Sequence, residues 1–542
     1  MGLLMAANSL AATAQDSLYI KYTDRFQENK ALFATTGLDS VEVLRNAATA
    51  YLRRYSTSYA KGYQDYRLSM TNADGSPKGI ITFSNPGRIL WKPRTSDNNY
   101  NNDYLNPGSK WCFAHSKESE HFVVFWDSKF GDDPNASSVP SWARVDIDDL
   151  LKKAEQFFNT NVNVLQMATV GQGKSRLDHY KMAIYMLYPD NADDWLATGA
   201  GNDYVIGTLW VKPRTCHPVG STIAHEVGHT FQYQVYCDAL LNGGSPNKDC
   251  NFQYTIPGAQ GNGFWEQCAQ WQSFQDYPQE AITTYDFSVW IANHHRHFEH
   301  EWQRYASYWE QYYWTEKHGQ TALSRIWKES RYPNDANQTY MKVFLDNNYD
   351  TLRAQLFEYA QKAATFDFDA VRRYVTPSTT DNYTVSWYSA GDGWKQIAYS
   401  NCVQPTGFNV IKCSDTTAGH TVTFHIKGLP VGSALSKYDP GNQVDGDGKT
   451  VASVKNYNTT DVAGHEGWAY GFVAYLSTGK RVYGKMNLLE QTGVEATAQF
   501  TVPANTQRLY VVVQGSPTEY RQCPWDEKES TDDQLPYLYK ID

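Results

Sequence analysis

Apolar positions along the chain change period, and each change marks a different kind of element. After Asp39 and Ser40, residues Val43, Leu44, Ala47, Tyr51 and Leu52 recur at helical spacing. The runs GIITFS and EHFVVFWDS follow, separated by the turn-rich NNYNNDYLNPGS, and both read as strands. HFVVFW is continuously apolar, so it predicts a strand buried on both faces. From about residue 140 the order becomes helix, strand, strand, helix. DIDDLLKKAEQFFN places Leu150, Leu151, Ala154, Phe157 and Phe158 along one helical side. KMAIYMLYP then predicts a buried strand and NDYVIGTLWVKP another strand, directly upstream of STIAHEVGHTFQYQVYCD. In that last segment Ile223, Val227, Phe231 and Val235 are four apart, and Pro218, Gly220, Ser221 and Thr222 give the start signal of a helix. GNGFWEQCAQWQSF opens another helix, and helical text continues through TLRAQLFEYAQKAA to near Tyr374. TPSTTDN, at 376 to 382, reads as a linker. Beyond it YTVSWYS, HTVTFHIKGL, GWAYGFVAYLS, EATAQFTVP and RLYVVVQGSP alternate with period two between turns. The pattern predicts an α+β protein: a mixed α/β region over 15–135, a mostly helical domain with a small sheet over 136–375, and an all-β sandwich over 376–542.

The helix from Ser221 to Asp238 carries His225, Glu226 and His229 as H-E-x-x-H. Residues i and i+4 lie on one helical face, so both imidazoles can reach one metal ion. Glu226 follows the first histidine, where a carboxylate can take a proton from water activated by that ion. Such a site needs a third protein ligand and an open fourth position. Glu266 is the best candidate, because it opens the amphipathic helix that follows Gly261, Asn262 and Gly263.

HEVGH with a later helical glutamate resembles the zinc peptidases called gluzincins. HEVGHTFQ, with Gly228 and Gln232, is similar to their enhancin- and mucin-degrading branch. TGAGNDYVIGTLWV, HEVGHTFQ and GFWEQCAQW together resemble an uncharacterised family of secreted bacterial proteins known only as a domain of unknown function. The zincin resemblance spans about residues 140 to 375 and implies a zincin-like catalytic domain. Carried over by residue, it implies zinc held by His225, His229 and Glu266, with Glu226 as general base in hydrolysis of a protein or glycoprotein. It also implies that Val205 to Val211 form an edge strand pairing with extended substrate, against the alternative of an ordinary core strand. One departure stands out: thermolysin-type members have an aspartate four residues after the third ligand, where this chain has Gln270. The partner that orients a histidine ligand is therefore unassigned at this point.

Composition narrows the partners. A formal charge of −10 argues against nucleic acid or an anionic membrane as the main one. Aromatic residues at 15%, including 17 Trp and 39 Tyr, allow carbohydrate contact by ring stacking as well as core packing. The alternative to the hydrolase is accordingly a non-catalytic zincin-fold protein that binds glycans or surfaces, and a zinc hydrolase of non-peptide bonds is a third reading.

MGLLMAANSLAATA, residues 1–14, reads as the remnant of a secretory signal peptide with an A-x-A site before Gln15, which implies export. No later run has 18 uninterrupted apolar residues, so no transmembrane helix is expected. In an exported protein the 8 cysteines suggest disulfides, with Cys402–Cys413 and Cys237–Cys250 the pairs suggested by local sequence. The absence of C-x-x-C spacing argues against a structural thiolate zinc site. His294, His295, His297 and His300 lie in a Trp- and Tyr-rich stretch where packing is the main expectation. Any of them, or Tyr305, is a candidate donor to a developing oxyanion. Asp445, Asp447 and Asp461 fit turn chemistry better than a calcium site.

Overall fold

The architecture was read from a computed structural model. It describes residues 110–112, 115–245, 249–250, 252 and 262–542, with strand backbone at 67–71, 77–82 and 89–90. The signal remnant, the helix expected after Ser40 and most of the 15–135 region lie outside the described residues. By internal packing the chain divides into two units, 1–245 and 246–542.

In the first unit β1 (Arg67–Thr71) and β2 (Pro77–Thr82) form an antiparallel pair. The principal sheet comprises β3 (Ile89–Leu90), β4 (Ser116–Glu118), β5 (Phe122–Trp126), β6 (Tyr180–Met186), β7 (Ala197–Asn202) and β8 (Ile206–Val211). Its order is β4-β5-β6-β8-β7, with β3 beside β6. The neighbours β5, β6 and β8 are parallel, whereas β4 and β7 run antiparallel at the two ends. Every residue of β5 is buried, as its unbroken apolar text requires. Helix α1 (Ile147–Asn159) is capped by the Asp146 carboxylate, which accepts from the Asp148 and Asp149 amides. It buries Leu150, Leu151, Ala154, Phe157 and Phe158, the face read from the sequence. Helix α2 (Ser221–Leu241) contains H-E-x-x-H.

The expectation that Val205 to Val211 make an edge strand is corrected here. β8 lies between β6 and β7, and β7 is the end strand among the described residues. The reason is in the side chains: Ile206, Leu209 and Val211 are almost wholly buried, which suits a strand paired on both sides.

The second unit begins with helices α3 (Asn262–Ser273), α4 (Tyr285–Asn293), α5 (Trp309–His318), α6 (Ala322–Glu329), α7 (Ala336–Phe344) and α8 (Tyr349–Ala363). The expected linker at 376–382 is instead ordered: Pro377–Thr380 form a helical turn, α9, closed by a reciprocal Thr376/Thr379 capping box. Buried Thr380 joins its hydroxyl to that of Tyr510 at 2.8 Å, so the segment packs down.

The expected C-terminal β-sandwich is present, its strands running from Trp387 to Ile541. Its strands are β9 (Trp387–Gly391), β10 (Trp394–Ile397), β11 (Phe408–Cys413), β12 (Thr421–Gly428), β13 (Asn442–Val444), β14 (Thr450–Ser453), β15 (Trp468–Leu476), β16 (Arg481–Tyr483), β17 (Asn487–Leu489), β18 (Glu495–Thr501), β19 (Thr506–Gly515) and β20 (Tyr537–Ile541). One sheet runs β18-β12-β20-β10-β9; the other runs β11-β19-β15-β16, with β17 on β15 and a separate β13-β14 hairpin. Inward side chains such as Phe424, Ile426, Trp468, Phe472, Val511 and Tyr537 fill the space between the sheets. Within this unit α8 packs on the sandwich: Gln361 donates to the Phe472 carbonyl at 3.1 Å, and the Gln514 amide donates to that of Leu356 at 3.0 Å. The chain is therefore α+β, and no helix among the described residues is long and apolar enough to cross a membrane.

The suggested disulfides are also corrected, since none of the eight cysteines is joined in a disulfide. Cys402 and Cys413 are core residues of the sandwich, and the Cys250 thiol donates to the Lys328 carbonyl at 3.3 Å. Burial makes small apolar fillers of them. Asp445 accepts from the amides of Asp447 and Lys449 at 3.1 and 2.9 Å, as turn chemistry predicts.

Candidate metal centre

The site is built on α2, a helix buried from Ile223 to Cys237. Its N-terminus is capped by Gly220 with no side-chain cap bond, so Ser221 and Thr222 only begin the helix. What holds it is contact with β7 and β8 through glycines. A Cβ on Gly199 would stand 2.2 Å from the Glu226 carbonyl oxygen and 2.7 Å from His229 Cβ. One on Gly201 would meet the Tyr233 ring at 2.1 Å, and one on Gly207 the Thr230 carbonyl oxygen at 2.6 Å. Only residues without a side chain let the helix backbone come this close. The Tyr204 amide donates to the Tyr233 hydroxyl at 2.8 Å and fixes that ring from the loop between β7 and β8.

The helical spacing brings His225 and His229 together as predicted, with ring centroids 4.5 Å apart and planes at 88°. Both rings and Glu226 are buried. His229 Nδ1 faces Gln232 Oε1 at 2.9 Å. A carboxamide oxygen only accepts, so Nδ1 carries the proton and Nε2 is the unprotonated nitrogen of the ring.

Glu266 is buried on α3, and its Oε1 accepts from the Tyr305 hydroxyl at 3.1 Å. Gly263 permits this helix to start close to the chain, because a Cβ there would lie 2.8 Å from the Glu299 carbonyl oxygen. Burial, and next the Glu266 carboxylate, push the Tyr305 phenol above its ordinary range, so it remains a hydrogen-bond donor. Tyr305 is nevertheless 41% exposed, which leaves it accessible to a ligand. Gln270, at the position where an aspartate was expected, donates to Asp286 at 2.5 Å.

In the first unit His225 and His229 are buried together on α2, and in the second Glu266 is buried on α3; each offers an atom of the kind that ligates a metal. Two imidazole nitrogens and one carboxylate oxygen match the donor set of catalytic zinc. The other histidines do something else. His294, His295, His297 and His300 are buried, and burial lowers His294 to about 4 and both His297 and His300 to about 3. His294 donates to the Ile291 carbonyl at 2.7 Å, His297 to that of Arg521 at 3.2 Å, and His300 meets Asp532 at 3.0 Å. They are packing and bridging groups of the second unit.

The matched family model spans residues 85–542 and is described as a family of unknown function, DUF6055. The chain belongs to this family. No curated protein matches it. Among solved structures, the DUF6055 chain has a distant likeness to a xylan-binding domain of carbohydrate-binding module family 22. Identity is 11% over 29% of this chain and 77% of that one, with a TM-score of 0.16. A second is the CBM22-1 xylan-binding domain of Paenibacillus barcinonensis Xyn10C, at 12% identity over 29% and 79% of the two chains and the same TM-score, 0.16.

Sequence reasoning missed two features of this DUF6055 site. Gln232 is one turn beyond His229, and that spacing alone was the signal for its contact with the ring. The glycines of TGAGNDYVIG mark the strand faces on which the helix rests.

Proposed function

We propose that the chain is a secreted zinc-dependent metallohydrolase, a peptidase of the gluzincin type acting on protein or glycoprotein. The observation that carries this reading is the buried H-E-x-x-H helix, on which His225 and His229 come together beside Glu226; Glu266, buried on α3, is the proposed third ligand. A zinc ion in that group supplies Lewis acidity toward a carbonyl oxygen and toward water. His225 and His229 bind through ring nitrogens, and Glu266 through a carboxylate oxygen. Glu226 accepts the proton of the attacking water at its carboxylate and delivers it to the leaving nitrogen. Tyr305, whose hydroxyl rests on Glu266, donates to the oxygen that gains charge as the carbonyl is attacked. Export fits the Ala-rich N-terminal segment.

Cleavage of casein and of mucin by wild type and Glu226→Gln tests the reading. The variant keeps its zinc and loses about 10²- to 10⁴-fold in rate, the worth of a general base. Full activity in a zinc-loaded variant would contradict it.

A second reading is favoured by one observation in the sandwich. Trp387 on β9 is 43% exposed and carries the Lys395 ammonium 4.3 Å from its ring centre. An exposed indole beside a cation suits stacking and hydrogen bonding to a sugar. In this reading the chain binds glycans without turnover, and Trp387→Ala abolishes retention on immobilised mucin while Glu226→Gln changes nothing.

A further inference from the structure

The resemblance to zinc peptidases leaves one part of the centre without an assigned residue, the group that orients a histidine ligand. Gln270 stands where a carboxylate was expected, and its amide is engaged with Asp286. We infer that Gln232 and Gly199 are the positioning residues of this centre, acting together on His229. The inference rests on the zinc reading and deepens it.

Two independent contacts define the position of His229. From within α2, Gln232 Oε1 takes the Nδ1 proton at 2.9 Å and is itself almost fully buried. That bond selects the tautomer with an unprotonated Nε2 and fixes the rotation of the ring. From β7, the backbone of Gly199 closes against the base of the same side chain, leaving 2.7 Å between a notional Cβ and His229 Cβ. One contact sets where the side chain starts and the other where its ring points.

The chemistry of the partner has a consequence. A carboxylate on Nδ1 pulls strongly on the N–H and makes Nε2 a better donor, whereas a neutral carboxamide pulls less. The centre therefore has a softer hold on its metal than one oriented by an acid, and a single substitution moves affinity in either direction. Gln232→Leu removes the acceptor and weakens zinc about 10- to 100-fold, the usual cost of losing an outer partner. Gln232→Glu tightens zinc relative to wild type. Gly199→Ala puts a methyl group 2.2 Å from the Glu226 carbonyl oxygen and 2.7 Å from His229 Cβ, displaces this turn of α2, and weakens zinc as well.

The test is zinc affinity of the full chain, measured by competition with a chromophoric chelator, together with the visible spectrum of the cobalt(II)-loaded protein. Urea midpoints of the zinc-free variants check that each is folded. Opposite shifts for Gln232→Leu and Gln232→Glu, with altered cobalt bands, support the assignment. Wild-type affinity and an unchanged spectrum in the leucine variant would overturn it while leaving the zinc centre standing. A wild-type chain that takes up neither metal would overturn both. A fold lost in the leucine variant leaves the glutamate variant to decide: tighter zinc supports the role, unchanged zinc refutes it.

Discussion

At the scale of single residues, function rests on which atoms remain available once the local hydrogen bonds are made. Tyr305 illustrates this, since its hydroxyl touches Glu266 yet much of its ring is open. Tyr305→Phe is expected to lower kcat about 10²-fold with KM little changed, the effect of losing one donor to a developing oxyanion. Steady-state kinetics on a peptide substrate measures it, and a change in KM alone would assign Tyr305 to binding instead. The residues proposed to bear the chemistry were the most legible part of the sequence. His225, Glu226 and His229 form a local motif whose geometry the helix alone dictates, and Glu266 was found because it opens a helix behind a glycine-rich approach. Gln232 was not legible as a positioning group, because a glutamine one turn past a histidine meets many other needs.

At the scale of elements, the glycines of β7 and β8 decide how α2 lies on its sheet. Gly201→Ala places a methyl group 2.1 Å from the position of a Tyr233 ring carbon. Overpacking of this kind costs about 1–3 kcal/mol. Tyr233→Leu makes room, so the double variant is expected to lose less stability than the sum of the two single changes. Urea unfolding of the four proteins tests this, and strict additivity would show that the strand and ring do not compete for space. The helices of the 136–375 region and the strands of the sandwich were readable from apolar period, because each period belongs to one backbone geometry. Strand neighbours were not readable. The text of Val205 to Val211 specifies burial, and burial does not say whether β7 pairs on the outer side. The helical turn at Pro377 was hidden by composition, since Thr, Ser and Pro serve a cap as well as a linker.

At the scale of the molecule, the second unit buries titratable groups of opposite tendency, and stability depends on pH from both sides. Burial raises the carboxyl groups of Glu299 and Glu310, and raises Asp335 to about 6 although the Tyr520 hydroxyl donates to it at 2.6 Å. A folded pKa above the unfolded one gives stability that is complete below the carboxyl's ordinary range near about 4. It is lost as pH rises through the folded value, about 6 for Asp335. His294, His297 and His300 behave in the opposite sense. Their folded values of about 4, 3 and 3 lie below the ordinary one, so their contribution is present above about 6.5 and lost as pH falls toward the folded values. Glu310→Gln is therefore expected to raise Tm at pH 8 and leave it nearly unchanged at pH 4, by about 2–4 °C for each kcal/mol recovered. Thermal melts across that range measure it, and an equal shift at both pH values would mean that ionisation of Glu310 is not the cause.

The most direct test of the central claim is zinc stoichiometry in the purified full chain, wild type beside His225→Ala, His229→Ala and Glu266→Ala, after dialysis against a weak chelator. The account predicts one zinc per wild-type chain and loss or marked weakening in all three variants. A wild-type chain without zinc, or a Glu266→Ala chain that retains it as tightly as wild type, would contradict it.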